Sequence, residues 1–317
     1  MAECTFKRLV LDHGYVLGVE RWGSDEAIIE AARMSTQKGF LGWEPRPCPT
    51  CTDPMTRRIV PGSTCVLCDG KATIPGDAKL LRYLNEHRHH TPFEFAGLTI
   101  EVQAPIFVFR EWHRHRTQSY NEMSARYAPL PDLSYVPTLP RLFEGGGHLT
   151  KQAAAAPGAR ELTEDTAAAF RNTLELHYRL VEKLYQEALL VGVPKELARV
   201  VLPVARYSRM RASANLRNWL AFLTLRNDPH AQWEIRQYAQ AVTMLLEQEF
   251  PRTMSLYIQQ RRVEVSRKKA WRSIRDWFLE GTNEHAAKRN VERAFQYESG
   301  NPEDREIDRS YPDGSIV

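Results

Sequence analysis

The sequence predicts an α+β fold rich in helix, and three observations lead to it. Apolar residues cluster in short runs over 7–21, at Val10 and Leu11 and then Tyr15–Val19, and alternate in Gly97–Gln103 with the two-residue period of strands. Long stretches, above all 163–190 and 229–248, carry apolar residues at helical spacing. A chain of 317 residues that is 43% hydrophobic and 10% aromatic can bury a core between such layers.

Taken in order, Val10 and Leu11 and then Tyr15–Val19 form the first strand region, with a turn at Asp12-His13-Gly14. Ser24 is placed to cap a helix through EAIIEAARMS, with Ile28, Ile29 and Ala32 on one side. The cysteine segment, 48–68, is poor in apolar residues and cannot make a core of its own. Asp77 stands as the N-cap of a helix through KLLRYLNEHR. GLTIEVQ follows as a strand, and Pro105 opens a helix through IFVFREWHRHR, residues 106–116. SYNEMSARYAPLPDLSYVPTLPRL reads as irregular and 143–160 as a loose loop. Helices over 163–190, 194–203, 213–225 and 229–248 complete the domain. In the tail, WRSIRDWFLEG is helical and NPEDREIDRSYPDGS frays. Trp112, Trp219 and Trp233 are core positions.

Charge and composition narrow the function classes. The net charge is only +4, from 43 basic and 39 acidic residues well mixed along the chain, which argues against a protein that coats nucleic acid. No apolar run reaches the length of a membrane span, and the first residues lack a secretory pattern, so the expected location is the cytoplasm. Basic clusters then matter individually. The densest is Arg110-Glu111-Trp112-His113-Arg114-His115-Arg116, followed by TQSYNEMSARY. Arg110 and Arg114 fall on one helix face, where like charges repel unless an anion sits opposite. Arginine suits phosphate and pyrimidine carbonyls through paired donors. A solvated basic surface explains the same residues, and composition leaves both readings open.

RHRTQSYNEMS resembles the signature of the flavin-dependent thymidylate synthases: Arg114-His115-Arg116, seven residues, then Ser124. HHTPFEF at 89–95, APIFVFREW at 104–112, VPKELARVVLP at 193–203 and LRNDPHAQWEIRQYA at 225–239 are also similar to that family, in its order. The resemblance spans roughly 9–43 and 77–260. It implies that family's fold, an antiparallel sheet with long helices. It implies FAD bound through Ser35, His89, Thr91, Glu94, Arg114, His115, Arg116, Asn215 and Arg217. It implies a nucleotide held by Glu111, Arg114, Ser124, Ala125, Arg126, Arg199 and Arg226, with Ser124, Arg199 and Arg114 at the chemistry. His87 and His90 stay unassigned. Ala221 stands where Asn or His is expected, and Ala125 where Gly or Gln is common.

The implied chemistry is reductive methylation at pyrimidine C5, dUMP to dTMP, with methylenetetrahydrofolate as co-substrate and NADPH as reductant, and no cysteine nucleophile. The same chemistry on UMP, or hydroxymethylation of a nucleotide, is the alternative; a non-catalytic nucleic-acid-binding protein is the rival of another class. The family implies a homotetramer with shared active sites.

Cys48-x-x-Cys51 and Cys65-x-x-Cys68 are two knuckles separated by thirteen residues, the pattern of a structural zinc bound by four thiolates; Cys4 stands apart. Zinc would supply the folding energy that this segment lacks. The expected organisation is a domain over 1–262, a zinc-knuckle insertion at 44–76 within it, and an extension at 263–317.

Overall fold

The computed structural model describes residues 2–3, 5–36, 38–51, 65, 68, 70–144 and 161–279. Cys4, the spacer between the cysteine pairs, the loop expected after residue 144 and the tail beyond 279 lie outside the described residues. In order, the elements are β1 Ala2–Glu3, β2 Lys7–Val10, β3 Gly14–Trp22, α1 Asp25–Arg33, β4 Arg46–Pro47, β5 Thr73–Ile74, α2 Ala78–Glu86, β6 Gly97–Pro105, α3 Ile106–Trp112 and β7 Ser119–Glu122. There follow α4 Leu139–Glu144, α5 Glu164–Leu190, α6 Lys195–Ala198, β8 Tyr207–Asn215, α7 Leu216–Arg226, α8 Trp233–Glu249 and α9 Pro251–Leu279. Among the described residues no helix is long and apolar enough to cross a membrane.

The chain divides into two compact units, 1–32 with 89–251 and 33–88 with 252–317. The first is built on a six-stranded antiparallel sheet in the order β1-β3-β6-β8-β7, with β2 also on β3. Leu98, Ile100, Val102 and Ala104 of β6 alternate inward and meet Ala214, Ala212, Met210 and Ser208 of β8. α8 packs on β2 and β3, and α3 and α7 pack on α8. Trp112, Trp219, Phe222 and Tyr238 are fully buried there, with Trp112 stacked on Phe222 at 4.6 Å between centroids. Trp112 and Trp219 are core, as expected; Trp233 is half-buried beneath the Arg141 guanidinium.

The turn at 11–13, the Ser24 cap and α5 fall where the sequence places them. Three local readings need correction. The helix after Pro105 ends at Trp112 rather than continuing to 116, because tertiary bonds draw the chain back. Trp112 Nε1 donates to Gln118 Oε1 at 3.1 Å, and Tyr120 Oη donates to the His115 carbonyl at 2.8 Å. Arg114 therefore lies off the helix that carries Arg110. The segment read as irregular begins with a strand, β7, polar and half exposed because it is the sheet edge, and ends in the helix α4 from Leu139. Residues 213–215, read as helix, close β8. That strand went unread because Arg209 and Arg211 alternate with Ser, Met and Ala rather than with β-branched residues.

The second unit contains β4 paired with β5, α2 and most of α9. Its buried cluster comprises the four knuckle cysteines with Leu41, Ala72 and Ile74.

Gly97 begins β6 where the strand passes under Trp22. A Cβ there would lie 2.1 Å from Trp22 Cζ2 and 2.6 Å from the Ala214 carbonyl oxygen. Gly97→Ala is therefore expected to lose about 1–3 kcal/mol of stability, as overpacked sites do. Urea denaturation of the purified variant measures it.

Candidate active site

The pairing of β6 with β8 begins at Gly97↔Asn215 and sets one functional cluster at that end. Leu216 N donates to the Ala96 carbonyl at 2.7 Å, so the start of α7 sits beside the 3-10 turn Thr91–Phe95. Arg217 forms an ion pair with Glu94 across this junction. Asn218 Nδ2 donates to the Thr117 carbonyl at 3.1 Å, which brings in the turn that carries Arg114 and Arg116. Asn215 caps α7, its Oδ1 accepting from Asn218 N at 3.0 Å. Thr91, Glu94, Arg116, Asn215 and Arg217 thus converge from three distant stretches of sequence. The exposed arginines and the positive end of α7 make the surface suited to phosphate.

At the other end of the same ladder, Pro105↔Tyr207, lies a cavity of about 380 Å³. Ser124, Ala125 and Arg199 line it. Arg199 Nε donates to the Glu196 carbonyl at 3.3 Å, and Glu196 Oε2 accepts from Arg126 Nε at 3.2 Å, so α6 holds both arginines at the same side. Ser124 Oγ accepts from Arg126 N at 3.3 Å and fixes the first turn of the loop. The lining also includes Arg110, His113 and Glu122, and Ser208, whose Oγ is buried without a hydrogen-bond partner. None of these four stood in the expected site. Arg110 and Glu122 lie in or beside the basic motif and were within reach of sequence; Ser208 lies on the unread strand.

Between these ends the Arg-His-Arg motif splits by exposure: Arg114 and Arg116 are exposed and His115 is buried. His115 Nε2 accepts from Arg226 Nε at 2.9 Å. Arg226 also donates from Nη1 to Glu111 Oε2 at 2.7 Å and from Nη2 to the Glu111 carbonyl at 2.8 Å. Burial lowers the His115 pKa to about 4, and the Arg226 cation pushes the same way, so the ring is neutral near pH 7. Its Nε2 being an acceptor, the proton sits on Nδ1.

A family model for thymidylate synthase complementing protein matches residues 19–252. The flavin-dependent thymidylate synthase of Thermosipho africanus is 34% identical over 251 residues, covering 78% of this chain and 92% of the relative. That of Thermus thermophilus is 36% identical over 242 residues, with coverages of 76% and 74%. The chain belongs to the flavin-dependent thymidylate synthase family. Among solved structures it is similar to a UMP/dUMP methylase, PolB, from Streptomyces cacaoi, bound with 5-Br dUMP. The TM-score is 0.59 and the identity 28%, and the match covers 79% of this chain and 97% of that one. The same methylase bound with 5-Br UMP matches with a TM-score of 0.58 and 29% identity, with coverages of 80% and 97%.

Within this family member, Ser35 lies in the second unit, in the turn Met34–Thr36 after α1. Ala221, on α7, is exposed. The second unit also holds the cysteines. Sγ of Cys48 lies 3.7 Å from that of Cys65, and Sγ of Cys51 lies 3.4 Å from that of Cys68. All four sulfurs are buried and within 4.8 Å of one another. Tetrahedral Zn–S bonds of about 2.3 Å imply sulfur separations of about 3.8 Å. The donor set therefore fits zinc, with all four positions taken by protein.

The neutral burial of His115 has a pH signature. Its folded pKa of about 4 lies below the unfolded value of 6.5, so the unfolded chain takes up the proton first as pH falls. Its contribution is present above pH 6.5 and is lost between there and about 4. The difference in urea midpoint between pH 7.5 and pH 5 should therefore shrink in His115→Asn. An unchanged difference would mean that His115 titrates normally.

Proposed function

We propose that the protein methylates C5 of a uridine nucleotide, converting dUMP to dTMP with FAD, methylenetetrahydrofolate as carbon donor and NADPH as reductant. The observation that carries this reading is the division of labour along the β6–β8 ladder, an anion-binding cluster at one end and an arginine-lined cavity at the other. Thr91, Glu94, Arg114, Arg116, Asn215 and Arg217 hold the flavin, with His89 as a further contact. His115 positions that loop through its bond to Arg226. Ser124, Ala125 and Arg126 receive the 5′-phosphate. Arg199 places a fixed cation at a pyrimidine carbonyl, where it stabilises the negative charge that develops as C5 becomes nucleophilic. Glu111 and Arg226 orient the nucleotide from the opposite side. Reduced FAD, when bound, supplies the hydride that completes the methyl group.

UMP is the second reading, favoured by the likeness to a methylase that takes both nucleotides. A homotetramer with sites completed by neighbouring copies accords with the apolar face of α5, where Phe170, Leu176, Leu180 and Leu184 are each at least half exposed. Residues 44–76 act as a zinc knuckle inserted in a domain over 1–262, with 263–317 as an extension, in a cytoplasmic enzyme.

The protein supplied with FAD, NADPH, methylenetetrahydrofolate and either nucleotide should yield thymidylate from dUMP, identified by mass spectrometry. A product only from UMP moves the enzyme to the second reading, and a 5-hydroxymethyl product means that the final hydride step is missing. Arg199→Ala should lower kcat/KM by about 10²–10³-fold, as loss of a transition-state charge partner does. Metal analysis should find one zinc per chain, lost in Cys65→Ser.

A further inference from the structure

The stretch after β7, from Met123 to Leu133, carries Ser124, Ala125 and Arg126 and contains no helix or strand. It hangs from β8 at both ends. Met123 N donates to the Arg209 carbonyl at 2.7 Å, and Tyr207 N donates to the Leu133 carbonyl at 2.9 Å. Ser124, Ala125 and Leu130 of this loop line the cavity. Leu130 stands between Pro129 and Pro131, whose rings fix φ and remove the N–H donors. The residue before each proline is driven toward extended backbone as well. A stretch this stiff passes a displacement at Leu130 back toward Ser124 instead of absorbing it.

Arg206 holds that stiff stretch in place. Its side chain is only 2% exposed. Nη2 donates to the Leu130 carbonyl at 3.3 Å and Nη1 to Asp132 Oδ1 at 3.0 Å, so one guanidinium grips the loop twice. Nη2 also pairs with Glu182 Oε2 of α5 at 2.7 Å. The Arg206 carbonyl accepts from Ile106 N at 2.9 Å, which ties the same residue to the start of α3. A cation buried this completely is stable only with its counter-charges in place. Glu182 is the buried one of the two, at 14% side-chain exposure against 71% for Asp132, and it fixes the guanidinium to α5. A planar guanidinium can serve a carbonyl and two carboxylates together, whereas the single ammonium of lysine cannot reproduce that fork.

We propose that Arg206 is a positioning residue for the nucleotide: it clamps the loop from Ser124 to Asp132 onto α5 through Glu182. The clamp keeps the phosphate-receiving turn and the Leu130 wall of the cavity in place before the nucleotide arrives. This rests on the reading above that puts the nucleotide in this cavity. Arg206 is not part of the lining and acts through the loop. Ordering the loop in advance removes a cost from binding, so the effect falls on nucleotide affinity. The chemical step and the flavin cluster at the other end of the β6–β8 ladder are left alone.

The test compares wild type, Arg206→Lys, Asp132→Ala and the double variant, each as the FAD-loaded full chain. Calorimetry gives dissociation constants for dUMP and UMP, turnover gives KM and kcat, and flavin fluorescence gives the FAD dissociation constant. Arg206→Lys should weaken binding of the accepted nucleotide and raise its KM on the order of tenfold, the scale of one lost charge-assisted hydrogen bond. Its kcat and FAD affinity should stay close to wild type. Asp132→Ala, at an exposed side chain that leaves the core untouched, should shift nucleotide affinity the same way by a smaller factor. The double variant should lose little more than Arg206→Lys, because both changes open one clamp. FAD and nucleotide weakened equally would mark a general loss of structure and overturn the clamp. A fall in kcat at unchanged KM, or losses that multiply in the double variant, would overturn it too. Should Arg206→Lys fail to fold, unaltered nucleotide affinity in Asp132→Ala overturns the clamp by itself. In each of these cases the reading of the cavity stands. A wild type that binds neither nucleotide overturns that reading, and the clamp with it.

Discussion

Nine residues of β6 lie opposite nine of β8, from Gly97↔Asn215 to Pro105↔Tyr207, and each functional cluster hangs from one end of this ladder. At the first end, the ladder continues as the Leu216 N–H bond to Ala96, which fixes the Thr91–Phe95 turn against the start of α7. At the second, Ile106 N and Phe107 N donate to the carbonyls of Arg206 and Val204, which fix the start of α3 against the chain leading back to Arg199. A slip of one residue in this pairing would turn Met210 and Ala212 outward and Arg209 and Arg211 into the core. The buried face of the sheet therefore enforces the register, and the register places both sites.

The motif residues were legible because their spacing is local. Arg114 to Ser124 is one short stretch, and the cysteine pairs announce a tetrahedral donor set by spacing alone. What stayed illegible depends on contacts that form only in the folded chain. The end of α3 is set by Gln118 and Tyr120, which close on Trp112 and His115 only once Trp112 is buried. Asp77 looks like a helix cap until Arg33, forty-four residues earlier, takes its carboxylate. β8 has no β-branched residue; what makes it a strand is its pairing with β6, which buries Tyr207, Met210, Ala212 and Ala214. Ser208, on that strand, was hidden with it.

Charge is handled differently along the motif. Arg114 and Arg116 remain at the surface, where an anionic ligand can meet them. Arg226 is mostly buried and already carries three internal bonds, one to a neutral imidazole and two to Glu111. A protonated His115 would set two cations side by side in a low-dielectric setting, and burial together with Arg226 prevents it. The central histidine thus serves as an acceptor that orients Arg226, and its neighbours in sequence keep their charges for ligands. In the proposed site, the nucleotide must share Arg226 with Glu111, so Arg226 arrives oriented rather than free.

The apolar surface that remains exposed is not scattered. Phe170, Leu176, Leu180 and Leu184 lie on α5, and Leu197, Val200 and Val204 flank Arg199 on the segment that α5 packs against. Leaving these side chains in water forgoes burial worth about 1.5–3 kcal/mol for each large one. Thr163 and Thr166 cap α5 reciprocally, yet only Ala167 and Tyr185 of its 27 residues are buried within the chain. Among the described residues little of the chain covers this helix, and association with another copy, as in the proposed homotetramer, would cover it. Because the same surface continues to the residues beside Arg199, association through it would bring a second copy to the rim of the cavity. In that proposed arrangement the cavity of one chain would not have to carry every nucleotide contact itself, and Glu111 and Arg226, which lie outside its lining, would not have to reach into it.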